Sequence, residues 1–356
     1  MFRKDIKLLQ AAILFLSMAF ITSCNNNDAD DNTPQGEPVD VQEEFSIVTL
    51  NVDGLPNTIK ILGTVQITIN EDGPGQELTP QISRYLADHS YDFIAVQENF
   101  DFNEQLSSAL KSDYNQDSWY CGIDVSKMVN ARFPCDGING FWKKDIDAKC
   151  SDSVSWTTAY GKFNHAWDDI VTKGFRRYDV KLKEGSELVI YNMHMDAGDD
   201  ADEFAGNDGP DRRARMVQWR QLRDYILKHL DKRPVIVVGD LNTWYARDSV
   251  KTQFIDYIAQ TGRATVSDVW IEMERGGVYP DIVDGIVTRD PGSKDCSRNG
   301  EVLDKIIYLN PKNGGKLTPV NVNIDETGYV RSDDSMPLGD HFPLSATFIV
   351  NSTVYR

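Results

Sequence analysis

Six stretches of this chain bring a residue able to bind a cation, move a proton or donate a hydrogen bond to the end of an apolar run. VIVVGDLN delivers Asp240 and Asn242, TLNVDGLP delivers Asn51 and Asp53, and AVQENF delivers Glu98. YNMHMDAG carries His194 and Asp196, VLDKIIY carries Asp304, and LGDHFPL carries Asp340 and His341. Singly, each has an ordinary reading. Asp240 and Asn242 make a turn after a buried strand, Glu98 a surface carboxylate, His194 a satisfied sheet histidine, and Asp304 a partner for Lys305. The chain holds only five histidines, however, and two of them lie close to Asp in such settings. Together the set matches what phosphoester hydrolysis requires. A hard divalent cation takes oxygen ligands such as Glu98 and Asn51 and neutralises phosphoryl charge. Histidines tuned by carboxylates can deprotonate water and protonate a leaving alkoxide. An amide such as Asn242 can orient water or a phosphate oxygen.

The elements that must position these residues are read from periodicity and breakers. Strands are expected at Phe45–Val52, Asp92–Val96, Val235–Gly239, Val302–Leu309 and Ser345–Val350, with a hairpin of Gly174–Leu182 and Leu188–Met195 turning at Glu184–Ser186. Gly239, just before the acid, argues for a tight turn with close backbone approach to a ligand. Helices are expected at Leu78–Asp88, Phe102–Lys111, Pro210–Leu230 and Ser249–Ala259; the third places Met216, Trp219, Leu222, Ile226 and Leu230 at helical spacing. Leu55–Glu77, rich in Gly and Pro, reads as a long loop with one hairpin. Asp113–Asp169 reads as short strands and loops, and Asp268–Asp295 as irregular. Hairpins beside helix-separated strands exclude a purely parallel doubly wound sheet. No boundary is visible within 45–356, which is expected to form one domain.

In this order, the six motifs resemble the endonuclease/exonuclease/phosphatase superfamily, which includes pancreatic-type deoxyribonucleases, AP endonucleases, inositol-polyphosphate 5-phosphatases and neutral sphingomyelinases. The resemblance runs from Phe45 to the C-terminus. It implies an α/β fold, a four-layer αββα sandwich of two mixed β-sheets flanked by helices, with the site at one end. It implies Mg²⁺, with Mn²⁺ or Ca²⁺ as alternatives, held by Glu98 with Asn51 and Asp53 beside it and Asp340 close by. It implies His341, oriented by Asp304, as the base that activates water, Asp240 and Asn242 as the pair positioning water and phosphate, and His194 as leaving-group acid or phosphate donor. AP endonucleases lack that histidine, and the chain departs from them there. Asn51–Pro56, the Lys173-Gly174-Phe175 segment and His194–Gly198 resemble the secreted, sphingomyelinase-like branch, which adds Lys173 and Asp196 as substrate-binding residues. The expected substrate is therefore a phospholipid or sphingolipid head group, against two alternatives: an extracytoplasmic nuclease, with Arg176, Arg177, Arg212, Arg213 and Arg215 as a local phosphate patch, and a non-catalytic surface binding lipoprotein.

The net charge of −18 repels polyanions at long range and disfavours nucleic acid as a partner. Residues 1–23 open with Arg3, Lys4 and Lys7 and continue almost wholly apolar from Leu8 to Ile21, as a secretory signal does. Thr22-Ser23-Cys24 resembles a bacterial lipoprotein cleavage site, so Cys24 is expected to carry lipid, and 24–44, poor in apolar residues, to be a solvated tether. The expected location is the bacterial cell envelope, lipid-anchored and extracytoplasmic, with the domain acting as a monomer. Outside the cytoplasm Cys121, Cys135, Cys150 and Cys296 permit two disulfides whose pairing sequence does not specify. The acidic run Asp199–Asp208 is expected to be a solvated loop and fits no EF-hand spacing.

Overall fold

Continuously buried central runs, with partly exposed strands outside them, build two sheets in the computed structural model, which describes residues 36–61, 65–119, 123, 126, 128–129, 132–161, 168–198, 209–246, 248–280, 282–283, 286–287 and 302–356. The chain divides into 1–37 with 355–356, and Pro38–Val354. Both large sheets belong to the second unit. Its strands in chain order are β1 (Pro38–Asn51), β2 (Thr58–Ile61), β3 (Val65–Thr68), β4 (Phe93–Gln97), β5 (Tyr114–Gln116), β6 (Asn139–Lys143), β7 (Asp147–Ser155) and β8 (Gly174–Lys181). Then come β9 (Glu187–His194), β10 (Val235–Asp240), β11 (Ala264–Asp268), β12 (Ile282–Val283), β13 (Ile286–Val287), β14 (Asp304–Pro311), β15 (Lys316–Ile324) and β16 (Leu344–Tyr355). One six-stranded sheet runs β15-β16-β1-β4-β6-β5 and the other β11-β14-β10-β9-β8-β7, each mixing parallel and antiparallel pairs. This is the expected sandwich of two mixed sheets.

The sheets pack face to face, β1 and β4 against β9, β10 and β14. Phe93 meets Tyr178 edge-on at 5.2 Å, and Tyr308 meets Phe348 at 5.7 Å, closing the core between them. Helix α1 (Gly75–His89) buries Ile82 and Leu86, and α2 (Asn103–Ser107) buries Leu106. The long helix α3 (Gly209–His229) buries Ala214, Arg215, Gln218, Trp219, Leu222 and Ile226, one face at helical spacing; Met216 is partly buried and packs against the same core.

Several boundaries differ from expectation. β1 begins at Pro38, seven residues before Phe45, with its first residues mostly exposed. α2 stops at Ser107, and the helix expected at Ser249 opens as a π-helical turn, Lys251–Ile255, before α4 (Asp256–Gln260). α5 (Val269–Met273), capped by the Asp268 side chain on Ile271 N–H at 3.1 Å, lies where irregular chain was expected. β15 is hidden in the sequence by Pro319, which interrupts its pattern. It is an edge strand with an irregularity at Pro319/Asn321, where a proline is tolerated. Cys150 is free and exposed while Cys135 is disulfide-bonded to a cysteine outside the described residues, so the four cysteines do not form two bridges. Cys24 and Asp199–Asp208 also lie outside them.

Candidate active site

Register creates the site. In the second sheet Asp240 pairs with His194 on the parallel strand β9 and with Asp304 on the antiparallel strand β14. Strands lie ~4.8 Å apart, and register partners point to the same face, so these three side chains form a row across the sheet's end. In the first sheet Asn51 pairs with Gln97, which places Glu98 one step beyond. The parallel pairs β1/β4 and β9/β10 all end at this edge, and loops carry Asp53, Asn242 and Asp340–His341 to it. Three of the six non-glycine residues with positive φ in the described chain are Asp53, Glu98 and Asn242, at 47°, 56° and 46°. Strained backbone of this kind is held only where the surroundings over-determine it.

Glycine approach is also specific. A Cβ on Gly239 would lie 2.0 Å from Met193 O, so the neighbouring strand, not a ligand, needs the space. A Cβ on Gly54 would lie 2.3 Å from Glu98 O, which accepts the Gly54 N–H at 3.0 Å. The TLNVDG turn is thereby pressed onto the Glu98 backbone.

Asp240 is the hub. Its Oδ2 accepts from Asn51 Nδ2 at 3.0 Å and lies 3.3 Å from His194 Nε2 and 3.7 Å from His341 Nε2. Its Oδ1 accepts from Asn242 N–H at 3.1 Å. Burial alone would push its carboxyl up, but His341 and then His194 outweigh it and hold the group well below the usual range. His341 Nδ1 lies 2.7 Å from Asp304 Oδ2, and both residues are buried. Burial opposes its charge, yet Asp304, Asp240 and Asp340 hold the imidazole well above its ordinary value. His194 is buried, and its Nε2 faces both a donor, Lys173 Nζ at 3.1 Å, and the acceptor Asp240. A ring protonated only at Nδ1 accepts from Lys173 at Nε2; a ring that carries a proton at Nε2 donates to Asp240. The Trp156 indole N–H fixes the strand end by donating to His194 O at 2.7 Å.

Beside this row the carboxylates crowd. Burial, then Asp340 and Glu98, push the Asp53 carboxyl up to about 8, against the Asn70 amide that donates to it at 2.7 Å. Acidic oxygens gathered with too little positive charge are what a hard divalent cation takes. Asp53, Glu98 and Asp340 supply such oxygens, with Asp340 and Glu98 both acting on Asp53. Asn51 Nδ2 is shared between Glu98 Oε1 and Asp240 Oδ2, each at 3.0 Å, and its Oδ1 accepts Asp53 N–H at 3.0 Å. It holds both arms of the site together. Asp240, Asp304 and His341 also present ligand atoms within 4.8 Å of one another. Within that group His341 Nδ1 faces Asp304, while its Nε2 faces Asp240.

The two expected substrate-binding residues are both buried. Asp196 points away from Asp240: it is fully buried, accepts Tyr160 N–H at 2.7 Å, and its own N–H donates to Gln218 of α3 at 3.0 Å. Lys173 is buried and ion-paired with Asp168, touching the site through His194 rather than through an open face. Asp168 escapes sequence reasoning because its stretch shows no usable period. Of the five arginines that a nuclease would use as a phosphate patch, two are not on the surface: Arg176 is buried on Asp136 and Asp117, and Arg215 is buried beside Asp248. A cavity of about 630 Å³ lies off the row, bounded by Pro56, Gln76, Phe102 and Arg331 among others, and none of the candidate site residues lines it.

No protein-family model and no curated protein matches the sequence. Solved structures do match. Truncated Caenorhabditis elegans TDP2 aligns over 86% of this chain and 97% of its own at 17% identity, TM-score 0.52. The fold is that of the endonuclease/exonuclease/phosphatase proteins. D. rerio TDP2 complexed with single strand DNA product aligns over 86% and 98% at 17% identity, TM-score 0.52. The endonuclease/exonuclease/phosphatase from Bacteroides vulgatus does so over 86% and 98% at 15% identity, again with TM-score 0.52.

Proposed function

We propose that this chain is a divalent-metal-dependent phosphoester hydrolase, a phosphodiesterase acting on phospholipid or sphingolipid head groups. One observation carries the reading: two histidines approach one buried carboxylate, Asp240, from different strands and loops, with three further carboxylates gathered beside them. Glu98, Asp53 and Asp340 would hold the cation, Mg²⁺ by preference, which when bound supplies charge to neutralise phosphoryl oxygens. His341, held in one orientation by Asp304, takes the proton of the attacking water at Nε2. It must first give up the proton that its acidic neighbours favour, and neutralising the Asp53–Glu98–Asp340 carboxylates promotes that loss. His194, able to donate as imidazolium and to be recharged past Lys173, protonates the leaving oxygen. Asn242 is held at positive φ with its Nδ2 on Met195 O at 3.3 Å, near enough to orient water or phosphate.

The acidity of the surroundings supports a small or lipid-borne phosphoester over a polyanion. The cavity off the row carries Glu71, Asp72, Glu77 and Asp101 against Arg331, and the whole chain bears −18. A nuclease is the second reading, favoured by the fold shared with D. rerio TDP2, whose structure holds a single strand DNA product. Lipid attachment at Cys24, a cell-envelope location and a single domain over 45–356 complete the proposal. No helix among the described residues is long and apolar enough to cross a membrane. The test is a panel of sphingomyelin, plasmid DNA, inositol phosphates and a bis-nitrophenyl phosphodiester, each with Mg²⁺ and with EDTA. Lipid hydrolysis that EDTA stops is expected; DNA cleavage alone would replace the lipid reading with the nuclease one. Cys24→Ser is expected to abolish acylation and release the protein from membranes, and unchanged fractionation would refute the anchor.

A further inference from the structure

Glu98 is flanked by two buried amides where apolar residues would pack as well. Gln97 is 0% exposed and Asn99 1%, and they meet Asn192 and Asn139, both 0%. Gln97 Nε2 donates across the gap between the sheets to Asn192 Oδ1 at 2.7 Å, and Thr49 Oγ1 donates to Gln97 Oε1 at 3.2 Å. Asn192 Nδ2 in turn donates to Asn139 O at 2.9 Å and Val96 O at 3.2 Å. Asn99 Nδ2 donates to Asn139 Oδ1 at 2.9 Å. The amides form a connected set that runs from the first sheet into the second.

Burying amides is costly unless each polar atom is met, and a hydrophobic pair of the same shape holds two sheets together without that condition. An amide pair adds direction: one donor, one acceptor, one distance. Its position is specific. Gln97 immediately precedes Glu98, and Asn192 lies two residues before His194, on the same face of β9. The bridge therefore spans the sheets just beneath the one point where Glu98 Oε1 and His194 Nε2 face each other at 3.8 Å. Glu98 stands at φ +56°, a conformation that neighbours must enforce, and Asn99 on its far side is pinned by the same set.

We infer that the Gln97–Asn192 bridge is a positioning device that holds Glu98 in cation-binding geometry opposite His194. The inference rests on Glu98 being a cation ligand, as proposed above. Gln97 and Asn192 are positioning residues, and neither touches substrate.

The experiment measures Mn²⁺ affinity by electron paramagnetic resonance, with kcat, KM and thermal melting alongside, on wild type, Glu98→Gln, Gln97→Met and the double variant Gln97→Met/Asn192→Leu. The double variant fills the gap with apolar side chains and leaves no amide of the pair stranded, so it reports even if Gln97→Met folds poorly. Loss of such supporting partners weakens metal binding by roughly 10–100-fold. That loss is expected in Gln97→Met and to persist in the double variant after its melting temperature recovers, with kcat falling and KM nearly unchanged. Mn²⁺ affinity and kcat that return with the melting temperature would overturn the inference, leaving the amides as packing. Mn²⁺ binding that Glu98→Gln does not alter would instead sink the cation reading itself, and the inference with it.

Discussion

Two clusters of buried charge lie between the sheets, and they are built in opposite ways. Around Arg176 the charges close. The guanidinium donates to both Asp136 oxygens at 2.8 Å and to Asp117 at 2.7 Å, and Tyr178 and Asn139 donate to Asp117 at 2.7 and 2.6 Å. Around Asp240 they do not. Asp53 is forced toward its protonated form by burial and by Asp340 and Glu98, His194 Nδ1 is buried without a hydrogen-bond partner, and Lys173 and Asp240 compete for the same ring nitrogen. A closed cluster serves the fold. An open one, with backbone strain at three of its members, is where a ligand completes the balance.

The largest test of that contrast is catalytic. His341→Ala is expected to lower turnover about 10²–10⁴-fold, and Glu98→Ala at least as far, while both melt close to wild type. Near-normal rates in either would dissolve the distinction. The converse substitution, Arg176→Met, strands two buried carboxylates and should cost about 3–5 kcal/mol in urea unfolding, with kcat per folded molecule little changed. A collapse of kcat in a folded Arg176→Met protein would mean that the clusters act as one.

Metal should separate them again. Saturating Mg²⁺, at ~100 times its dissociation constant, is expected to add about 2.7 kcal/mol of stability, an increment that EDTA removes and Glu98→Ala lacks. An equal increment in Glu98→Ala would relocate the cation. A pH test concerns Asp196, whose carboxyl burial and the neighbouring Asp168 push up to about 9 from an ordinary 3.8. A folded value above the unfolded one gives stability that is complete below about pH 4 and lost as pH rises toward 9. A carboxamide has no such proton to lose, so Asp196→Asn should gain on wild type progressively above pH 4, by up to about 1.4 kcal/mol per pH unit, and by nothing at pH 4. A stability difference that does not vary with pH would show that Asp196 is charged in the fold.

How far the site is legible in the sequence depends on where each residue sits. Asp240, His194, Asp304 and Glu98 follow or open buried strands, and an apolar run ending abruptly on a polar residue is visible in one dimension. Asp168 lies in a stretch with no period, and its importance comes only from Lys173. Asp196 misleads by proximity. Two residues past His194 it belongs to the same motif, but past the strand end its carboxylate is captured by Tyr160 N–H, in the chain after β7, and its backbone N–H by Gln218 of α3. The arginines mislead in the same way, since charge in a sequence does not say whether the side chain faces solvent or a buried carboxylate.

Taken alone, the sequence determined that the strands carrying Asn51, Glu98, His194, Asp240 and Asp304 are buried, that hairpins accompany helix-separated strands, and which residue types end those strands. These are local properties, written in periodicity and in the chemistry of single side chains. Only the tertiary structure decided that Asp240 stands level with His194 and Asp304, that Gln97 meets Asn192 across the sheets, and that one charge cluster is closed and the other open. Each of those depends on register and on which faces meet, and these are set by packing between segments far apart in the chain.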